Sequence, residues 1–367
     1  MNETRPEADA APLSIPFTWS DEHVEHRPDG EVWVGVHTPG TELPERADRT
    51  RAALLAAGAT LVAAEPHPDG DLLAVHDPGL LDHLECAWER WRTAGLTEDP
   101  GQDRVVPYIF PTPAMLGGTP ARRATAISAA AGCFAYDTMT LIGPGTWAGA
   151  RGAADAALTA ADLIIGGSAA AYACCRPPGH HATRTAIGGS CYLNNAALAA
   201  QRLRAAGLGP VAVIDIDAHH GNGTQAIFEA DPEVLTGSVH VDPGAGWFPH
   251  FVGFEDEHGI GAGAGSNRNL TLAPGSGDGA WLGAIERLFD WTRHGAARSL
   301  VVALGVDAAR SDPESPLAVS VSGYREAGRM LAAAGVPTVL VQEGGYDLDA
   351  IGGLVVATLR GFEQGRR

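Results

Sequence analysis

Short apolar runs alternate with Ala-rich stretches of helical length along most of the chain. Six of these runs have the length of a buried strand: VWVGV (32–36), AYACC (171–175), VAVIDI (211–216), VLTGSV (234–239), LVVALGV (300–306) and TVLVQE (338–343). Helices are predicted over 46–58, 78–94, 147–166, 192–207, 279–294 and 320–334. This alternation predicts an α/β fold in which helices cover both faces of a mainly parallel sheet.

The ends of the pattern set the predicted domain limits. Residues 1–30 are polar and Pro-rich without periodicity, so we expect a loose N-terminal arm followed by a single domain over 31–367. The glycine-rich stretch 240–278 is predicted to be a long loop region. Because ligand sites of parallel sheets form where strands end, we expect the functional groups to follow directly after the apolar runs.

The composition narrows the classes of partner. The chain has a formal net charge of −19 and contains no lysine, which disfavours a nucleic-acid partner and favours a small cationic one. A charge of this size can also serve only to keep a protein soluble. No apolar run is long enough to span a membrane, and the N-terminus lacks the features of a signal peptide. The five cysteines have no CxxC spacing, so we expect free thiols and a cytoplasmic protein.

The densest group of potential metal ligands lies where VAVIDI ends, and it comprises Asp215, Asp217, His219 and His220. Two carboxylates and two imidazoles at a strand end are costly to bury without a partner, so a divalent cation is predicted. Asp307 follows LVVALGV and is a further candidate, although an Asp at a strand end, taken in isolation, is more often a helix cap than a metal ligand. Asp217, His219 and Asp307 together would leave a coordination position open for water and substrate.

Two more polar segments follow other strands. His180 and His181 end the segment RPPGHH after AYACC, and tandem imidazoles on a loop stiffened by Pro and Gly can act as base and acid near neutral pH. Paired surface histidines are the alternative. Tyr346 follows Glu343 in the segment EGGY, where glycines allow the backbone to approach a ligand. A tyrosine in the core is the alternative there.

Five segments together resemble the histone deacetylase superfamily: RPPGHHAT, GGSCYLNNAALAAQ, DIDAHHGNGTQAIF, GVDAARSDP and EGGYDL. The resemblance runs from about Val32 to Ile351, and the stretch 240–278 is similar to the bacterial acetylpolyamine amidohydrolase and class II deacetylase branch. It implies an arginase/deacetylase-like three-layer α/β/α sandwich. The implied activity is zinc-dependent hydrolysis of the acetyl amide of a small cationic amine, chiefly an acetylpolyamine. Deacetylation of protein acetyl-lysine and a non-catalytic acyl-ligand-binding role are the alternatives.

The resemblance also implies roles for individual residues. Zinc, or ferrous iron, would be held by Asp217, His219 and Asp307, and the catalytic residues would be His180, His181, Asp215, Asn222 and Tyr346. In the family an Asp holds the first histidine and an Asn the second, so only the first has a full negative charge that favours imidazolium. His181 is therefore predicted to be the general base, and Tyr346 to donate a hydrogen bond to the oxyanion.

Ureohydrolases such as arginase resemble this pattern but hold two manganese ions through additional carboxylates. Here Gly221 and Gly305 occupy the two positions where those enzymes have the extra ligands. A second catalytic metal would therefore lack oxygen ligands, and a single-metal site is predicted.

The expected substrate-binding residues lie at the rim and walls of the implied tunnel. Glu314, where most relatives have Leu or Met, would attract a secondary ammonium group, although a solvated rim glutamate is the alternative. Gly189 and Ser190 would form one wall, and Ser190 replaces the usual Phe or Tyr, which predicts a wider tunnel. Trp247 and Phe248 would form the opposite wall.

Three further expectations rest on the resemblance alone. Potassium is expected as a structural cofactor at a site formed around Asp215, Asp217, His219 and Ser238. Arg46 resembles the arginine of an internal acetate-release channel, with a surface helix arginine as the alternative. The segment 95–118 would mediate a homodimer or line the substrate entrance.

Overall fold

The computed structural model describes residues 11–366 of the chain. The strands are β1 (Phe17–Trp19), β2 (Glu31–Trp33), β3 (Val36–Thr38), β4 (Leu61–Ala63), β5 (Ala170–Ala173), β6 (Val211–Asp215), β7 (Val234–Val241), β8 (Asn267–Leu272), β9 (Ser299–Leu304) and β10 (Thr338–Gln342). The α-helices are α1 (Glu45–Ala56), α2 (Asp69–Leu73), α3 (Pro78–Thr93), α4 (Pro113–Leu116), α5 (Ile127–Ala130), α6 (Thr146–Ile165), α7 (Asn195–Leu203), α8 (Asn222–Phe228), α9 (Asp278–His294), α10 (Val321–Ala332) and α11 (Ile351–Arg366). Short 3-10 turns occupy Asp21–Glu25, Ala131–Cys133, Pro243–Ala245 and Gly261–Gly263, and a π-type turn covers Arg204–Leu208.

Eight strands form one sheet in the order β4-β1-β5-β10-β9-β6-β7-β8, and each neighbouring pair is parallel. Side chains alternate between the two faces of each strand. On β6, Val211 and Val213 pack in a core with α6 and α7, whereas Ala212 and Ile214 pack in a second core with α9 and α10. The three-layer α/β/α sandwich with a parallel central sheet is therefore confirmed.

The loose N-terminal arm predicted over 1–30 is wrong for its later part. Phe17–Trp19 forms β1, which pairs with β4 on one side and β5 on the other, and Phe17 is fully buried. The predicted boundary at residue 31 therefore does not divide the sheet. A strand of three residues gives too short a pattern to stand out from Pro-rich sequence. Residues 1–10 of that arm lie outside the described residues.

Two other predictions about strands are also wrong. The run 32–36 does not enter the parallel sheet, because it lies in the antiparallel hairpin of β2 and β3, where Trp33 and Val36 are exposed. The stretch 240–278, predicted as loop, contains the edge strand β8, in which Asn267 and Asn269 are buried. Buried asparagines interrupt the apolar pattern from which a strand is usually predicted.

Four adjacent strands in the middle of the sheet position the site. The order β5-β10-β9-β6 brings together the segments that follow these strands, at 176–181, 343–346, 305–307 and 216–222. Because the strands are parallel, their carboxyl ends meet at one edge of the sheet.

All five cysteines are free thiols, as expected from their spacing. Within 11–366, no helix is both long and apolar enough to cross a membrane.

Candidate active site

Asp217, His219 and Asp307 converge at this edge of the sheet. One potential ligand atom of each lies within 4.8 Å of those of the other two. The Nδ1 atom of His219 is 3.0 Å from Oδ2 of Asp307 and 3.4 Å from Oδ1 of Asp217. Both carboxylates are fully buried, and His219 is partly buried. Strands β6 and β9 are neighbours, so residues 88 to 90 positions apart in sequence meet here.

Backbone amides hold both carboxylates in place. The amide of Gly344 donates to Oδ2 of Asp217 at 2.8 Å, and the amide of Ala218 donates to Oδ1 of Asp307 at 2.9 Å. The amide of His219 donates to Oδ1 of Asp217 at 2.9 Å. The bonds from Gly344 and Ala218 each join segments that follow different strands, so the folded sheet orients both carboxylates.

The electrostatics of the three residues fit a divalent cation. Burial, and after it the charge of Asp217, raises the pKa of Asp307 to about 7. Burial would lower the pKa of His219, but its hydrogen bonds to Asp217 and Asp307 outweigh burial and raise that pKa to about 10. The two carboxylates thus attract positive charge to the Nδ1 atom of His219. A divalent cation would replace that proton and offset the repulsion between the carboxylates.

The glycines at the two ureohydrolase ligand positions have no room for a side chain. A Cβ atom at Gly221 would lie 2.1 Å from Oδ2 of Asp215, and one at Gly305 would lie 2.0 Å from Oδ2 of Asp217. Larger residues here would displace the carboxylates that Gly221 and Gly305 contact. Neither glycine supplies an oxygen ligand from a side chain, and the single catalytic metal stays a prediction.

The tandem histidines lie beside this group and have different partners. The Nδ1 atom of His180 is 2.9 Å from Oδ2 of Asp215, and its Nε2 atom is 3.8 Å from Oδ1 of Asp217. The Nδ1 atom of His181 is 2.7 Å from Oδ1 of Asn222. Both acceptors are oxygens without a proton, so each Nδ1 atom donates and each Nε2 atom is directed elsewhere. The two rings lie 3.9 Å apart between centroids.

The two imidazoles have opposite pKa shifts. Burial alone would lower the pKa of His180, but the charges of Asp217 and Asp215 outweigh it and hold that pKa well above its ordinary value. Burial, followed by the positive charge of His180, holds the pKa of His181 well below its ordinary value. A neutral His181 that donates through Nδ1 presents a lone pair on Nε2, which is the requirement for a base.

Tyr346 is held beside the group by its backbone and by Arg46. Its amide donates to Oδ2 of Asp312 at 2.6 Å, and the Arg46 guanidinium lies over its ring, 4.5 Å from the centroid. Burial, and then the charges of Asp307 and Asp217, holds the pKa of Tyr346 well above its ordinary value, although Arg46 opposes this. The phenol therefore keeps its proton and can donate a hydrogen bond.

Arg46 is buried in an ion group, so it is not a surface arginine. Its Nη1 atom is 2.8 Å from Oε1 of Glu42, and its Nη2 atom donates to the Glu343 carbonyl at 2.7 Å. Glu42 also accepts from Nη2 of Arg176 at 2.9 Å. Burial opposes ionisation of Glu42, but the charge of Arg176 holds its pKa well below the ordinary range. Glu42 is not predicted from the sequence, because nothing near it suggests a buried carboxylate.

The predicted tunnel walls surround the histidines. Phe248 lies edge-on to His181 with centroids 4.8 Å apart, and Trp247 lies 6.3 Å from His219. A Cβ atom at Gly189 would lie 2.3 Å from the His181 ring and 2.9 Å from the Phe248 ring, so this position lines the same space. The backbone of Ser190 is in the left-handed region, with a φ of 59°, beside Gly189.

Two wall residues were missed in the sequence. Tyr136 stacks on Phe248 with centroids 6.2 Å apart, accepts from Nδ2 of Asn222 at 3.2 Å and donates to the His181 carbonyl at 2.8 Å. Asp137 accepts from the Gly189 amide at 2.6 Å. Both residues lie in a segment with no recognisable motif, and only their contacts with distant segments reveal them.

Glu314 is connected to Tyr346 through Asp312. The amide of Glu314 donates to Oδ1 of Asp312, while the amide of Tyr346 donates to Oδ2 of the same carboxylate. The Thr41 hydroxyl donates to Oε1 of Glu314 at 3.0 Å. Burial, followed by the charges of Glu314 and Asp137, raises the pKa of Glu31 to about 7. Glu31 and Glu314 therefore lie near enough to each other for their charges to repel.

The two remaining groups predicted from the resemblance are placed as follows. Ser238 pairs with Asp215 in the register of β6 and β7, and its hydroxyl is 2.7 Å from Nδ1 of His240. In the segment 95–118, Tyr108 and Met115 are exposed, and Phe110 lines a cavity of about 510 Å³ together with Tyr136, Asn222 and Phe248.

The chain is similar to known proteins in both sequence and structure. The histone deacetylase domain profile matches residues 41–362. The chain is 39% identical to the acetylpolyamine amidohydrolase of Mycoplana ramosa over 344 residues, which cover 94% of this chain and 98% of the relative. It is 35% identical to the histone deacetylase-like amidohydrolase of Pseudomonas aeruginosa over 213 residues, 56% of this chain and 55% of that protein. The crystal structure of an acetylpolyamine aminohydrolase from Burkholderia pseudomallei superimposes with a TM-score of 0.90 at 37% identity, covering 96% of this chain and 100% of the other.

Proposed function

The chain belongs to the histone deacetylase family and is a hydrolase of the deacetylase type, and on that premise we propose that it removes the acetyl group from acetylpolyamines. The observation that carries the proposal is the convergence of Asp217, His219 and Asp307 beside a histidine pair with opposite pKa shifts. This combination suits hydrolysis of an unactivated amide, which needs a Lewis acid, a base and a proton donor.

We propose that Asp217, His219 and Asp307 hold one zinc ion, with ferrous iron as an acceptable replacement. When bound, the ion would polarise the acetyl carbonyl and lower the pKa of the attacking water. The amides of Gly344 and Ala218 would keep the two carboxylates oriented toward it.

In this proposal the histidines divide the proton transfers. His181 accepts the proton of the attacking water through Nε2, because its Nδ1 atom is engaged by Asn222. Asp215 holds His180 as imidazolium next to it. The leaving amine then receives a proton from His180, or from His181 after that residue has taken up a proton.

Tyr346 would donate its phenol proton in a hydrogen bond to the oxyanion. Arg46 stacks on the ring and donates to the carbonyls of Glu343 and Gly345, so it would fix the loop that carries the phenol. A donor that is already oriented costs little reorganisation when charge develops on the oxygen.

The substrate assignment rests on the chemistry of the rim. Asp312 binds the backbone amides of both Glu314 and Tyr346, and Glu31 lies near Glu314. A secondary ammonium group several ångströms from the acetyl amide would interact favourably with the carboxyl groups of Glu314 and Glu31. Acetylspermidine has such a group, whereas an acetyl-lysine side chain does not. The small wall residues Gly189 and Ser190 leave more width than an aromatic side chain would.

Acetate release from acetylputrescine, acetylspermidine and an acetyl-lysine peptide tests the proposal, with metal-stripped protein as the control. We expect kcat/KM to be highest for acetylspermidine and activity to return with added zinc. Absence of acetate release from all three amides by zinc-loaded protein would contradict the amidohydrolase proposal. A higher kcat/KM for the peptide would contradict the polyamine assignment alone.

We also propose a potassium ion bound near Asp215 and Ser238, and a homodimer formed through the segment 95–118. The exposed side chains of Tyr108 and Met115 support that contact, since apolar groups on a surface are commonly covered in assemblies. Thermal denaturation in potassium chloride and in caesium chloride tests the proposed potassium site. Sedimentation of the wild-type protein and of Met115→Glu tests the proposed homodimer. A monomer in both samples would contradict the homodimer.

A further inference from the structure

A second group of potential metal ligands includes the first of the tandem histidines. His180, Cys191 and Glu343 each place one ligand atom within 4.8 Å of the other two, and all three residues are buried. They come from three separate segments: the loop after β5, the turn before α7 and the end of β10. Cysteine sulfur, imidazole nitrogen and carboxylate oxygen are together the ligand types that zinc and cadmium prefer.

The Glu343 carboxylate has one engaged and one available oxygen. Its Oε2 atom accepts from the amides of Gly179 and His180 at 2.6 and 3.0 Å. Its Oε1 atom is buried and has no hydrogen-bond partner among the described residues. A fully buried carboxylate oxygen without a partner is costly, so this position calls for a water molecule or a cation.

The other two members can each contribute one atom. Asp215 engages Nδ1 of His180, so a metal would bind at Nε2, where it would replace the second proton of the imidazolium. Cys191 is fully buried, and burial followed by the charge of Glu343 holds the pKa of its thiol well above the ordinary value, so a bound metal would have to displace the thiol proton. With these atoms and Oε1 of Glu343, three ligands are available and a fourth position stays open.

We propose that His180, Cys191 and Glu343 form a second cation site for a thiophilic divalent ion such as zinc or cadmium. This site shares no residue with the one at Asp217, His219 and Asp307. The two sites are close, because Nε2 of His180 lies 3.8 Å from Oδ1 of Asp217. An ion here would occupy the Nε2 atom of His180. It would therefore inhibit the enzyme at metal concentrations above those that load the first site, and this consequence rests on the function proposed above.

Cadmium is the probe for the test, because cadmium–thiolate bonds absorb in the ultraviolet. The background protein carries Cys86→Ala and Cys133→Ala, which remove the two partly exposed thiols. Its zinc-loaded form is titrated with cadmium. Bound metal per chain and the ultraviolet band are measured together. We expect a second ion and a thiolate band in this background, and one ion without a band after the further change Cys191→Ala.

Two further variants distinguish ligation from general loss of structure. Cys175→Ala removes another buried thiol that is outside the group, and it should keep both the second ion and the band. Glu343→Gln removes the carboxylate charge and should lower the affinity for the second ion. The decrease should be at least the roughly 10- to 100-fold that follows loss of a group hydrogen-bonded to a metal ligand. A second ion and band that persist in Cys191→Ala, or that are lost only in Cys175→Ala, would overturn the proposal. So would a background protein that binds a single ion.

Acetate release is measured on the same samples as a separate readout. Excess zinc should inhibit the background protein and inhibit Cys191→Ala only at concentrations at least about tenfold higher. Metal stoichiometry does not depend on the substrate, so failure of the amidohydrolase proposal would leave the binding result intact. Conversely, active enzyme without a second ion would overturn only the second site.

Discussion

The Nδ1 atom of His181 lies 2.7 Å from the Oδ1 atom of Asn222, an amide oxygen that carries no formal charge. The adjacent His180 has a carboxylate, that of Asp215, in the equivalent place. This difference in partner, together with burial, leaves His181 neutral next to an imidazolium. The different partners of Nδ1 therefore contribute to the opposite pKa shifts of the two rings.

Asn222→Asp should give His181 a charged partner and raise its pKa. The base would then be protonated up to a higher pH, so the acidic limb of the profile of kcat/KM against pH should move to higher pH. Acetate release measured across pH tests this, with zinc content as the control for an intact metal site. An acidic limb at the wild-type pH would argue against His181 as the base.

Tyr346→Phe removes the proposed oxyanion donor but leaves the ring over which Arg46 lies. We expect kcat to fall by roughly 100- to 1000-fold, as for other single oxyanion donors. Zinc content should stay at the wild-type level, because the phenol is not one of the three proposed ligands. Turnover close to that of the wild type would remove the role assigned to this residue.

Glu314→Leu should raise KM for acetylspermidine more than for an acetyl-lysine peptide, because only acetylspermidine has a secondary ammonium group near the rim. Thr41→Val is the matched control, since it removes the hydroxyl that donates to Glu314 but keeps the carboxylate. The control should change KM for acetylspermidine much less. Equal increases for the two substrates would show that Glu314 does not select them.

Glu257 clamps the loop that carries the wall residues. Its carboxylate accepts from the amides of Gly253 at 3.0 Å and Phe254 at 3.1 Å, and from Nε2 of Gln225 at 2.6 Å. Glu257→Ala should loosen the loop and raise KM about tenfold, which corresponds to about one charge-assisted hydrogen bond, with little change in kcat.

Two variants of the same loop complete that test. Glu257→Gln keeps a hydrogen-bond acceptor, so its KM should lie between those of the wild type and Glu257→Ala. Asp256→Ala changes an exposed neighbour and should leave KM unchanged. A matching fall in kcat and zinc content in Glu257→Ala would instead indicate a general loss of structure.

Gly305→Ala should weaken the metal site, because a Cβ atom there would lie 2.0 Å from Oδ2 of Asp217. Since Asp217 is a proposed ligand, zinc affinity should fall by at least the roughly 10- to 100-fold seen when a ligand's neighbour is lost. Zinc retained against a chelator is the measurement. Gly283→Ala is the control, because a Cβ atom there meets no described atom within 4 Å and the residue lies within α9. Wild-type retention in Gly305→Ala would contradict this account of Asp217.

Much of the central sheet is predictable from local sequence. Strands β5, β6, β7, β9 and β10 each overlap a predicted apolar run. Parallel strands covered on both faces have to be apolar along their whole length, so they differ clearly from their surroundings. The polar segments that follow four of these strands hold the proposed metal ligands, the tandem histidines and Tyr346, and their place next to strand ends makes them recognisable.

The sequence by itself therefore determines the fold class, the family and the segments that meet at the site. Only the tertiary structure decides that β1 lies between β4 and β5 in the sheet, that Glu42 pairs with both Arg46 and Arg176, and that Tyr136 accepts a hydrogen bond from Asn222. These relationships join residues far apart in the chain, and each arises from burial of a polar group or a very short strand. Neither feature produces a periodic pattern, because a buried charge is stabilised by whichever distant partner the folded sheet brings to it.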